Sequence, residues 1–108
     1  MERFVKGDIL VVNFYYSNAI ESKRRPAMVL ADCGEDVLLV EITTKSRGID
    51  DILIKKVDLQ QGTLKEESWL RPLKLGTFHK SEIAYKIGHL KDNKINEIIG
   101  VICGFLRK

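Results

Sequence analysis

The sequence predicts a mainly β domain, a small barrel of about six short strands with a C-terminal amphipathic helix covering one open side. Two observations point there. Apolar runs rich in β-branched and aromatic residues recur at hairpin spacing from Asp8 to Ile87, separated by turn residues. Only in the tail does the pattern change, where Ile95, Ile98, Ile99, Ile102, Phe105 and Leu106 repeat at helical spacing. At 108 residues the chain is a single domain that can bury a core without staples.

Asp8 to Tyr16 is a nearly continuous apolar run, bounded by Gly7 and by Ser17-Asn18, and reads as a first strand. A polar loop over 17–24 follows. Pro26 then opens a second strand, 26–31, because a residue without an N–H is tolerated best at a strand's first position. Cys33-Gly34-Glu35-Asp36 is a turn, and Val37 to Ile42 returns as a hairpin partner. Thr43 to Gly48 is a turn-rich loop. Ile52 to Ile54 forms a fourth short strand, and Gly62 marks a turn after an ambiguous stretch from Lys55. Another strand passes through Trp69-Leu70-Arg71, where Pro72 argues for an edge or a bend. Ile83 to Ile87 is the last strand, closed by Gly88. In the helix, Asp92 or Asn93 can cap the N-terminus, and Arg107-Lys108 suits the negative end of the dipole. Gly100 and Gly104 weaken this helix unless they permit close packing on the sheet.

A net charge of +3 permits nucleic-acid binding without demanding it. Cys33 and Cys103 lie far apart and read as two reduced thiols. With two histidines and no CxxC or HxxxH spacing, no metal site and no cofactor are expected. No apolar run is long enough for a membrane span, and Met1-Glu2-Arg3 carries no signal-peptide pattern, so a cytoplasmic location is expected.

Three polar clusters flank the strands. The first joins Glu21, Lys23, Arg24 and Arg25; the second Thr43, Thr44, Lys45, Ser46 and Arg47; the third Arg71, Lys74, Thr77, His79 and Lys80. Antiparallel pairing of the second and third strands brings Arg25 and Thr43 to one end of their hairpin. There a guanidinium and a hydroxyl can hold a phosphate together. Each also has a plainer reading. Thr43-Thr44 is a common side-chain-to-backbone turn former. Trp69, Tyr15 and Tyr16 serve a core or an interface as readily as a base-stacking platform.

The chain resembles the MazF/PemK family of toxin ribonucleases. The resemblance is carried in order by Lys6 to Phe14 (KGDILVVNF), Arg25 to Leu30 (RPAMVL), Val40 to Thr44 (VEITT), Ser68 to Thr77 (SWLRPLKLGT) and Lys86 to Leu90 (KIGHL). It implies an SH3-like barrel, a homodimer, and metal-independent cleavage of single-stranded RNA. It also implies an acidic antitoxin peptide that occupies the RNA groove, with DNA bound only through the antitoxin complex. The family's paired Arg and Thr map onto Arg25 and Thr43, and a further Arg of some members onto Arg71. Lys23, Arg24, Thr44, Lys45, Arg47, Lys74, Thr77 and His79 are the candidate RNA contacts.

There are departures from the family pattern. Leu73 and His79 stand where many members carry Asp, and the first loop lacks the His that some use. For the general base, this leaves Glu21 and His79. Two other readings stay open. One is a catalytically silent module that binds RNA or an antitoxin peptide and joins its partner in autoregulating transcription. The other is a gyrase poison of the related barrel type, which would make no use of Arg25 or Thr43.

Overall fold

The computed structural model describes residues 2–15, 22–46 and 48–108. The strands are β1 (Asp8–Tyr15), β2 (Ser22–Cys33), β3 (Asp36–Thr43), β4 (Ile52–Ile54), β5 (Leu59–Gly62), β6 (Ser68–His79) and β7 (Ile83–Leu90), followed by helix α1 (Asp92–Leu106). They form one sheet in the order β4-β6-β3-β2-β1-β7-β5, with every neighbouring pair antiparallel.

The sheet curls. Laid flat, seven strands would be roughly 29 Å wide. Yet Ile52 and Ile54 at one edge share a single cluster with Leu90 and Leu59 at the other. That cluster also takes Ile9, Met28, Val40, Ile42 and Leu70 from the strands between, and Ile95, Ile98 and Ile102 from α1. The helix is the plug around which the sheet bends. Each buried isoleucine contributes about 1.5–3 kcal/mol relative to exposure. The opposite face of the central strands buries a second cluster of Phe4, Leu10, Val12, Ala27, Val29, Val37 and Leu39. Alternate residues of β1, β2 and β3 thus divide between two cores, which is why these strands read as unbroken apolar runs.

Several details differ from expectation. β2 begins at Ser22, so Lys23 and Arg24 are strand residues and not loop residues. They pair with Phe14 and Asn13 of β1. Pro26 lies inside the strand, one residue before the β2–β3 ladder starts at Ala27, where that flank of β2 has no partner to lose. β6 runs on through Pro72 to His79 because the β3–β6 register shifts between Val40 and Ile42. Val40 faces Leu75 and Ile42 faces Leu70, so residues 71–74 bulge out and Pro72 needs no ladder bond. β5 was legible only as a turn at Gly62. It is a four-residue edge strand in which a Cβ on Gly62 would run into the Ile87 carbonyl, and one on Gly88 would lie 2.6 Å from the Gln61 oxygen.

Lys91, not Asp92 or Asn93, is the N-cap of α1 and makes no side-chain cap bond; Asp92 instead places its charge in the first turn. Gly100 and Gly104 do not pack on the sheet, since a Cβ at either would meet nothing within 4 Å. Cys33 and Cys103 are both free thiols.

Two carboxylates fasten the strand ends remote from the Arg25 end of the sheet. Asp32 accepts from the Phe4 amide at 2.8 Å, from Lys80 Nζ at 2.9 Å and from the Gly34 amide at 3.0 Å. The Phe4 amide first, then Lys80 and Gly34, hold its carboxyl well below the usual carboxylate range. Asp8 is buried, which alone would raise its pKa. The Val5 amide, His89 at 2.8 Å and Lys86 at 3.1 Å outweigh that burial and leave it lowered.

Both folded pKa values lie below the ordinary 3.8, so the unfolded chain takes up protons first as pH falls. Their contribution to stability is therefore whole above about pH 4 and drains away below it. Urea midpoints at about pH 5 and about pH 3 should differ less in Asp32→Asn than in the unsubstituted chain. Gly100→Ala, on an open helix face, should raise the unfolding free energy by about 1 kcal/mol in the same assay.

Candidate RNA-contacting face

β2 and β3 set the site. Ala27 faces Glu41 and Val29 faces Leu39, and continuing that register by two residues carries Arg25 toward Thr43. Cross-strand partners point to the same side of a sheet, and side chains alternate along each strand. Arg25, Glu41 and Thr43 therefore share the face that is turned away from α1. Thr43 in turn faces Trp69 of β6, and Trp69 faces Leu53 of β4, which extends the same row.

Arg25 is 28% exposed, and its Nη1 stands 3.9 Å from Oε1 of Glu41, which is 11% exposed. Its Nε is buried without a hydrogen-bond partner among the described residues. The guanidinium is thus tethered along one edge only. Thr43 is 6% exposed, and its hydroxyl is engaged locally. It donates to the Lys45 carbonyl at 3.3 Å and accepts from the Lys45 amide at 3.2 Å. Its immediate effect is to turn the chain out of β3 and fix where Thr44 and Lys45 emerge, both of them exposed.

The β6 bulge supplies the remaining cations. Glu41 sits alone opposite the four residues Arg71 to Lys74. Arg71 Nε lies 3.9 Å from Oδ1 of Asp51, and Asp51 also accepts from the Gly48 amide and the Ser46 hydroxyl, each at 3.1 Å. A pocket of about 250 Å³ opens beside this pair, lined also by Pro72, Leu73, Lys74 and Phe105 of α1. Lys74 is exposed and lines a second cavity of about 140 Å³ with Glu41, Ala27, Leu39 and Phe78. On β2, Lys23 is exposed two residues before Arg25 and shares its side of the strand.

The structure therefore gathers Lys23, Arg25, Thr43, Thr44, Lys45, Arg71 and Lys74 around one end of the β2–β3–β6 surface. It does not gather the rest. Arg24 points to the other side of β2 and donates Nε to Asn13 at 3.3 Å. Thr77 faces Leu38, on the α1 side of the sheet. His79 faces Asp36 at the far end of β3, about 23 Å along the strand from the Thr43 row. Its ring accepts from the Ser81 amide at 3.1 Å and caps the short turn over Lys80–Glu82. Lys80 is bound to Asp32. The third polar cluster is accordingly a line along a twelve-residue strand, not a group at one end. Glu21, Arg47 and Tyr16 lie outside the described residues. Glu41, beside Arg25, is not among the residues that the sequence singles out. The signal for it was its i, i+2 spacing from Thr43 and its place as a lone carboxylate between Val40 and Ile42.

Among the described residues no group of three or more His, Cys, Asp or Glu side chains is placed to hold a metal ion. No described helix is long and apolar enough to cross a membrane.

The sequence profile of a family described as PemK-like, MazF-like toxin of type II toxin–antitoxin system matches residues 5–106. Solved structures share the fold. An endoribonuclease from a mycobacterial species, in complex with its cognate antitoxin, aligns at TM-score 0.75 and 16% identity over 96% of this chain and 95% of that one. Another mycobacterial endoribonuclease aligns at TM-score 0.74 and 16% identity, over 98% and 93% respectively. The Mycobacterium tuberculosis toxin MazF-mt6 aligns at TM-score 0.70 and 18% identity, over 88% and 91%. Among curated protein sequences, none matches this chain.

The Thr43–Lys45 bond makes a local prediction. Thr43→Val leaves the Lys45 amide without its acceptor and should cost about 1 kcal/mol of stability, with faster hydrogen exchange at that amide. Thr43→Ser keeps the hydroxyl and should leave exchange at Lys45 unchanged.

Proposed function

Because this chain belongs to the PemK-like, MazF-like toxins of type II toxin–antitoxin systems, we propose that it is an endoribonuclease that cleaves single-stranded RNA without a metal. The observation that supports this reading is the approach of Arg25 to Glu41 on the sheet face that Thr43 shares by alternation along β3, with Arg71 and Lys74 opposite in the β6 bulge. The RNA's own 2′-oxygen would attack the adjacent phosphorus, forming the 2′-O–P bond as the bond to the 5′-oxygen breaks. The products are a 2′,3′-cyclic phosphate and a 5′-hydroxyl. This chemistry needs a cation where negative charge develops on the phosphorane. Arg25 fits that role, because its guanidinium sits beside a single carboxylate edge and keeps donors for a phosphoryl oxygen. Arg71 shares the charge. Thr43 fixes the loop that aims Lys45 and, by exchanging its bond to the Lys45 carbonyl, can donate to the phosphate.

Lys23, Lys45 and Lys74 follow the backbone phosphates, and half-buried Trp69 beside Thr43 presents a ring to a neighbouring base. The same basic face suits an acidic antitoxin segment, consistent with a neighbour of this fold that was solved with its cognate antitoxin. A homodimer, DNA contact through the antitoxin complex, and action in the cytoplasm complete the reading. A second reading, a binding module without catalysis, draws on the local engagement of the Thr43 hydroxyl. It predicts saturable RNA binding with no new 5′-hydroxyl ends.

A long RNA incubated with the protein and excess EDTA should yield fragments with 5′-hydroxyl and cyclic-phosphate ends. Arg25→Ala should slow cleavage by about 10²–10³-fold, the usual loss for one preorganised donor to a developing oxyanion. RNA left intact at high protein excess, or cleaved equally well by Arg25→Ala, would refute the reading.

A further inference from the structure

A phosphodiester opened by its own 2′-oxygen needs a group to take the 2′-proton, and His79 stands too far from the Thr43 row to supply one. His79 caps a turn at the far end of β3, and Glu21 lies outside the described residues. We propose that Glu41 is the general base of this site. The inference rests on the ribonuclease reading above and adds a residue to it.

Geometry carries it. Within one nucleotide the 2′-oxygen and the phosphoryl oxygens are close neighbours, so the base and the phosphate-binding cation must be neighbours too. Glu41 Oε1 stands 3.9 Å from Arg25 Nη1. Its Cβ lies about 7 Å along β3 from that of Thr43, on the same face. It is mostly shielded, and the cavity that it lines with Ala27, Leu39, Gly76 and Phe78 is apolar apart from Lys74. The charged groups facing it are Arg25 from β2 and Lys74 from β6; Arg71, in the same bulge, is held by Asp51. The carboxylate offers an oxygen that can accept a proton beside the phosphate-binding cation, a task that a guanidinium cannot perform.

In the step, the 2′-hydroxyl proton passes to Glu41 as the 2′-O–P bond forms. The leaving 5′-oxygen takes a proton from water, and Glu41 returns its proton to solvent afterwards.

The test is single-turnover cleavage across pH by the unsubstituted protein, Glu41→Gln, Glu41→Asp and Arg25→Ala. In parallel, affinity is measured for a 2′-O-methyl RNA that cannot react. Glu41→Gln should lower the rate about 10²–10⁴-fold and abolish the acid limb of the pH–rate profile. Its affinity for the methylated RNA should stay within a few-fold, which also shows that it is folded. Glu41→Asp should recover part of the rate and keep the acid limb. The assignment is overturned if Glu41→Gln cleaves at nearly the full rate. It is also overturned if the rate falls but the acid limb persists, which makes Glu41 a positioning residue for Arg25, or if rate and affinity fall together. Each of these failures leaves cleavage by the unsubstituted protein, and its loss in Arg25→Ala, intact. Failure of the ribonuclease reading looks different, because then the unsubstituted protein leaves RNA whole and Glu41 falls with it.

Discussion

Ala27 lies across from Glu41, and that one pairing decides where the charged side chains of the site can go. A shift of a single residue would send Arg25 to the α1 side of the sheet and turn Met28 into the opposite core. Two buried clusters, one on each face, prevent such a slip. Met28 and Val40 are wholly buried toward the helix, and Val29 and Leu39 toward the opposite core. The register that serves the hydrophobic cores is therefore the same register that seats a guanidinium and a threonine on one surface. Packing supplies the precision, and the polar groups follow it.

The β6 bulge adds what a regular strand would not. An uninterrupted ladder would set one residue opposite Glu41; the register shift sets four there. Two are cations, one is the proline that tolerates the broken ladder, and one is an exposed leucine. Phe105, in the last turn of α1, lines the pocket beside Arg71 at the outer side of the bulge.

Much of this was legible in the residues. The apolar runs placed the long strands and the change of period placed α1, while the family resemblance singled out Arg25, Thr43 and Arg71 as candidates. What escaped had physical reasons. β5 is short and largely exposed, so it shows no alternation, and only its pairing with β7 makes it a strand. The start of β2 is polar because β1 alone pairs with it there, and a strand with little to bury looks like a loop. Pro72 broke the pattern of β6 because a bulge is a tertiary accommodation, invisible until β3 is laid beside it. His79 seemed to belong with Arg71 because spacing along a chain hides how far a strand travels. Glu41 was passed over because a carboxylate in an apolar strand reads as an ordinary solvent-facing residue until its cross-strand neighbours are known.

The buried Nε of Arg25 is a donor left unpaired among the described residues. A donor hidden from water with nothing to bond costs about 1–3 kcal/mol. Among the described residues the guanidinium is fastened by one ion pair, to Glu41. An oxyanion that draws the side chain round so that Nε finds an acceptor removes that deficit as it binds. The unused donor of the arginine then becomes part of its grip on the oxyanion.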